Sequence, residues 1–137
     1  MDYIIDTNII SSLMKNDSEV KVRLQNAFLN GSEVFISGLS YYEIKRGLLA
    51  INATKKLHIF NEICRRFRIL LLDDIRFFDK ASEIYADLKQ KGKLIKDADI
   101  LIASTALVYE FTLVSDDSDF LRIYNLTVEN WIKRDNV

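Results

Sequence analysis

The sequence predicts an α/β fold, a three-layer α/β/α sandwich around a short parallel sheet of about five strands. Three observations carry that prediction. Short, mostly aliphatic runs recur along the chain: YII (3–5), EVFIS (33–37), RILLL (68–72), FTLVS (111–115) and LTVEN (126–130). Longer segments with apolar residues at helical spacing lie between most of them. Strands alternating with helices imply right-handed crossovers, and therefore parallel strands covered on both faces.

The elements follow in order. YII reads as a fully buried strand, with a helix from Thr7 or Asn8 to about Met14. In DSEVKVRLQNAFLNG (17–31), Val20, Leu24, Ala27 and Phe28 share a helical face, and Gly31 suits the C-cap. After the second strand come two helical segments, LSYYEIKRGLLAI (39–51) and ATKKLHIFNEICRRF (53–67). Leu57, Phe60, Ile63, Cys64 and Phe67 form one stripe on the second of them. RILLL is aliphatic enough to predict a strand buried on both faces. DIRFFDKASEIYADLKQKG (74–92) predicts an amphipathic helix, and DADILIASTALVYE (97–110) a mostly buried one ahead of the fourth strand.

The 137 residues suit one domain, spanning 1–137, and 49% hydrophobic content supplies its core. No proline and only four glycines leave no linker or low-complexity segment. One cysteine, Cys64, excludes an internal disulfide, and one histidine, His58, excludes a His-rich metal site. His58 lies beside Leu57 and Ile59, away from every candidate acid, and reads as structural or exposed. A net charge of −1 argues against holding nucleic acid by bulk charge and leaves room for a local basic patch. The first residues do not form a basic stretch followed by an apolar one, and ILIASTALVY (100–109) is too short for a membrane span. A soluble, cytoplasmic domain with no membrane partner is expected.

Acids recur where strands end. Asp6 follows the first strand, Asp116 and Asp117 follow the fourth, Asp97 and Asp99 open the helix before it, and Glu43 follows the second strand by one helical turn. In an open parallel sheet the ligand crevice lies outside the carboxyl ends of the strands. Each acid also has a plain structural role open to it. Asp6 and Asp97 could cap helices, Ser40-Tyr41-Tyr42-Glu43 matches the S-x-x-E capping box, and Asp99 suits a helix N-terminus. Capping and dipole terms stabilise by roughly 0.3–2 kcal/mol. Two carboxylates about 4 Å apart repel by about 4 kcal/mol at an effective dielectric of 20. If the fold gathers these acids, a cation is the natural counterweight, and an all-oxygen set favours Mg²⁺ or Mn²⁺ over Zn²⁺. Thr7, Asn8 and Ser115 could complete such a shell.

DTNII, SYYEIKRGLL, DADILIASTALVYEFTLVSDDSDF and a late VENW, in that order, make the chain similar to a PIN domain, in particular to the VapC-type toxins of bacterial toxin–antitoxin pairs. The resemblance runs from the first strand to Trp131. It implies a PIN-like fold, and metal-dependent hydrolysis of RNA phosphodiesters by Asp6, Glu43, Asp99 and Asp117 holding Mg²⁺ or Mn²⁺. Matches for Asp97, Asp116 and Asp119 are left open; Asp97 is expected to be an N-cap, and Asp119 to assist from behind the ligands. The resemblance also implies an RNA substrate, a cognate antitoxin and a homodimer.

Local cations must grip the substrate. Lys45 and Arg46 follow Glu43, Lys93 and Lys96 end a lysine run before Asp97, and Arg122 follows SDDSDF. Tyr41, Tyr42, Phe77, Phe78 and Tyr85 are candidates for stacking on bases, against an ordinary core or interface role. Three rivals remain: a phospho-accepting receiver using Asp73 and Asp74, a PIN fold that only binds, and an RNA-processing nuclease outside a toxin pair.

Overall fold

The computed structural model describes residues 1–132. The elements run β1 (Tyr3–Ile5), α1 (Thr7–Met14), α2 (Ser18–Leu29), β2 (Val34–Ser37), α3 (Gly38–Ala50), α4 (Thr54–Cys64), β3 (Arg68–Leu70), α5 (Ile75–Gln90), α6 (Asp97–Tyr109), β4 (Thr112–Val114), a 3₁₀ turn (Ser118–Arg122) and β5 (Val128–Glu129). All strand pairs are parallel, in the order β3-β2-β1-β4-β5. The α/β sandwich is as expected.

The side-chain alternation of the strands makes the layers. Ile5 pairs in register with Ile36 and Val114, and all three face α1, α2 and α4 through Ile9, Ile10, Leu24 and Phe60. Their neighbours Ile4 and Leu113 face the other way, onto Leu88, Ile102 and Ala103 of α5 and α6. Fully burying each such aliphatic side chain stabilises the fold by about 1.5–3 kcal/mol. Trp131 closes the first layer, edge-on to Tyr3 at 5.2 Å between ring centroids.

Several expectations are corrected. β3 is an edge strand, and Arg68 and Ile69 are exposed, so RILLL is not buried on both faces. The helix after β2 starts at Gly38, and its N-cap is Ser37, whose hydroxyl accepts from the Leu39 amide at 3.1 Å. The S-x-x-E box therefore does not form. Ser40 lies inside the helix, buried, and its oxygen accepts from the Thr7 hydroxyl at 3.1 Å. Asp97 is the first helical residue of α6, and the N-cap position falls on Lys96. The C-cap of α2 is Asn30, with Gly31 one residue beyond at φ +78°. SDDSDF (115–120) ends in the 3₁₀ turn.

Candidate active site

β1 is the central strand from which the chain builds outward in both directions, β2 and β3 on one side and β4 and β5 on the other. The crevice between the ends of β1 and β4 is the topological switch point, where open α/β sheets bind ligands. Asp6 leaves β1 there, and Ser115 to Asp117 leave β4.

Asp6 is 5% exposed. It occupies the N-cap position of α1, yet its carboxylate makes no N-cap bond to the helix. It turns instead to β4. The Ser115 hydroxyl donates to Asp6 Oδ2 at 2.8 Å, and Asn8 Nδ2 donates to the same oxygen at 3.3 Å. Asn8 Oδ1 accepts from the Asp116 amide at 3.1 Å, and Ser115 Oγ accepts from the Asp117 amide at 3.0 Å. The net fixes the two strand ends against each other and leaves the second carboxylate oxygen of Asp6 out of these bonds.

Glu43 enters from α3, Asp99 from the first turn of α6 and Asp117 from the loop after β4. With Asp6, all three line one cleft of about 700 Å³. Their charges are felt mutually. Burial first, then the charges of Asp6, Asp117 and Glu43, push the Asp99 carboxyl up to about 6, while Lys96 pulls it back. Burial also raises Asp6, against the Thr7 amide and the Ser115 hydroxyl, and Asp117 and Glu43 add to the rise. Four acids distant in sequence thus share one electrostatic field.

The donor set is entirely oxygen, which fits a hard divalent cation. Among the described residues, no three His, Cys, Asp or Glu side chains form a ready-made metal cage. Mg²⁺ commonly keeps several waters and is held by one or two carboxylates plus substrate phosphate. Asp6, Glu43, Asp99 and Asp117 would hold it.

The supporting residues divide. Thr7, Asn8, Arg46 and Lys96 line the cleft, and Ser115 stands behind Asp6. Asp119 and Arg122 are not among its lining residues. The Asp119 amide donates to Asp117 Oδ1 at 2.9 Å, and its carboxylate pairs with Arg122 at 3.3 Å. Lys45 is likewise absent from the lining; its Nζ donates to the Tyr41 hydroxyl at 2.8 Å. Lys93 is exposed beyond the end of α5, outside the cleft. Asp116 joins the neighbouring loop, accepting from Asn130 Nδ2 at 2.7 Å. Sequence reasoning missed Ser11, Ser12 and Lys15, which also line the cleft. Their signal was present: residues 8, 11, 12 and 15 share one face of a helix.

Asp73 and Asp74 lie beyond β3, two strands away from β1. Asp74 caps α5, accepting from the Arg76 amide at 2.9 Å. The Arg76 guanidinium, 2.6 Å away, holds its carboxyl below the usual carboxylate range. Among the described residues, no receiver-like acidic cluster is built there.

A family model described as the PIN domain matches residues 3–126, and the chain belongs to that family. Ribonuclease VapC2 of Rickettsia felis is 30% identical, over 97% of this chain and all of that protein. A VapC ribonuclease of Sinorhizobium fredii is 31% identical, over 93% of this chain and 95% of its own length. Among solved structures, VapBC2 of Rickettsia felis, bound to a DNA fragment from its promoter, superposes with a TM-score of 0.89. It covers 96% of this chain and 99% of that one, at 28% identity.

Proposed function

We propose that this chain is a divalent-metal-dependent ribonuclease, the toxin of a toxin–antitoxin pair. The observation that carries the reading is the convergence of Asp6, Glu43, Asp99 and Asp117 on one cleft at the switch point of the sheet. VapC ribonucleases as relatives over nearly the whole chain support it.

Mg²⁺ or Mn²⁺, when bound, supplies a more acidic water and neutralises phosphate charge. The chain's own groups do the rest. Ser115 and Asn8 hold the Asp6 carboxylate in one orientation at the edge of the cleft. Glu43 and Asp99 face it from the two helical walls, and Asp117 from the loop. Arg46, Lys96 and Lys15 stand on the same lining and suit phosphate contacts. No histidine base is required, and exposed His58 borders a separate groove beside Glu62 and Arg66.

An antitoxin partner is supported by the VapBC complex as a structural relative. A groove of about 350 Å³ between α1, α3 and α4 gives such a partner a seat, floored by Met14, Ile44, Leu48 and Ile59. It shares Ser11, Lys15 and Glu43 with the acidic cleft, so an occupant reaches the acids directly. For a homodimer, one surface among the described residues is the apolar stretch around the β3 edge, where Ile69, Leu71, Ile75 and Phe78 are exposed. Among the described residues, no helix is long and apolar enough to cross a membrane.

The test is cleavage of cellular RNA by the purified chain with Mg²⁺, with Mn²⁺ and with chelator, beside Asp99→Asn. Cleavage that needs both the ion and Asp99 is expected. Cleavage that survives chelation, or an Asp99→Asn variant as active as its parent, sinks the reading.

A further inference from the structure

The two tyrosines before Glu43 are placed quite differently. The Tyr41 ring packs on Phe60 of the core at 5.5 Å between centroids, and Lys45 is spent on it. Tyr42 stands in the lining of the acidic cleft and is 57% exposed. Arg46, one helical turn on, holds its guanidinium 4.9 Å from the Tyr42 ring centroid.

Leu39, Tyr42, Glu43 and Arg46 form one face of α3, and that face is a wall of the cleft. An exposed aromatic ring is costly to keep in water unless something covers it. Here it is steadied by a cation–π contact, so its orientation is set before any ligand arrives. Across the cleft stands Lys96, and Lys15 lies on the α1 wall. A wall with a ring, a planar cation over it and ammonium groups nearby is the equipment that grips single-stranded nucleic acid. Bases stack on aromatic and guanidinium planes while cations track the phosphates.

We infer that Tyr42 and Arg46 form a base-stacking platform, which seats one unpaired base of the RNA beside the scissile phosphate and so helps choose where it is cut. The inference rests on the ribonuclease reading. It assigns Tyr42 a positioning and specificity role, not a part in bond cleavage. Because stacking needs a π face and not a hydroxyl, Tyr42→Phe keeps the platform and Tyr42→Ala removes it. Tyr42 is exposed, so neither change disturbs the core.

The experiment measures binding of a fluorescently labelled single-stranded oligoadenylate RNA, with Mg²⁺ present and cleavage silenced by Asp99→Asn. Adding Tyr42→Ala is expected to weaken binding about tenfold, and Tyr42→Phe by no more than about twofold. An oligonucleotide of the same length whose residues are all abasic should bind more weakly, and equally to all three proteins. The platform is overturned if Tyr42→Ala binds oligoadenylate like its parent, or loses as much on the abasic strand. A parallel cleavage assay on the unsilenced chain separates the two levels. If RNA is cut with Mg²⁺ while Tyr42→Ala binds normally and cuts at the same positions, the platform alone falls. If RNA is neither bound nor cut, both fall.

Discussion

Asp99 is opposed in its ionisation by burial and by three neighbouring carboxylates, and the sign of the consequence can be worked out. Its carboxyl titrates near 6 in the folded chain, against an ordinary value of 3.8. The folded state therefore binds more protons between those values, so the contribution to stability is greatest below about pH 4 and lost as pH rises through 6. Without metal, Asp99→Asn should be more stable than the parent at pH 7, by about 1–2 kcal/mol once screening of this half-buried group is allowed for. At pH 4 the two should coincide. Urea unfolding in chelator at both pH values measures this, and an Asp99→Asn variant less stable at pH 7 would mean the carboxylate is structural. The same change should lower cleavage by roughly a hundredfold or more. Ser115 behaves in the opposite way. Its hydroxyl is the closest donor to buried Asp6. Ser115→Ala should cost about 1–3 kcal/mol, because it leaves a buried carboxylate short of a partner. A loss under 0.5 kcal/mol in thermal unfolding would show that water takes over the bond.

Among the elements, α3 and α6 matter most, since each carries an acid into the cleft. α3 starts on the Ser37 hydroxyl, and Ser37→Ala should cost about 1 kcal/mol in equilibrium unfolding. A Ser37→Ala variant as stable as its parent would mean that the helix is not capped there. α6 ends on Glu110, a non-glycine residue in the left-handed region at φ +58°. Glu110→Gly should therefore raise stability, by an amount on the order of 1 kcal/mol in the same assay. Most element boundaries were legible in the sequence to within a residue or two at each end, because apolar periodicity reports the buried face. The capping-box match, one of the plain roles open to Glu43, does not form because S-x-x-E occurs one turn into the helix, and pattern alone cannot set where the first turn begins. RILLL was misread because aliphatic content does not say whether a strand has a neighbour on both sides. Its place at the edge follows from strand order, a property of the whole sheet.

For the molecule as a whole, four acids from four segments make one site only through strand order, and binding there is linked to folding. Mg²⁺ or Mn²⁺ at about a hundredfold over its dissociation constant should stabilise the chain by about 2.7 kcal/mol. That is a rise of several degrees in Tm, and one that Asp99→Asn should largely abolish. A Tm indifferent to either ion would argue against a metal site. Asp6, Glu43, Asp99 and Asp117 were legible as a set, since each sits at a strand end or a helix start, and the family motifs register them. Lys15 was not singled out, and Tyr42 was one of five aromatics that the sequence did not separate, because which face of a helix lines a cleft depends on how that helix is rotated over the sheet. The bonds of Asn8 and Asp6 to Ser115 join residues more than 100 positions apart in the chain. On a ribosome, Asp6 is made more than 100 residues before Ser115 and Asp117. Until they emerge, β1 has no β4 beside it and the fourth carboxylate does not yet exist. A growing chain thus carries no assembled site next to the message and ribosome that produce it, and the hazard arises only once β4 has been translated and has docked.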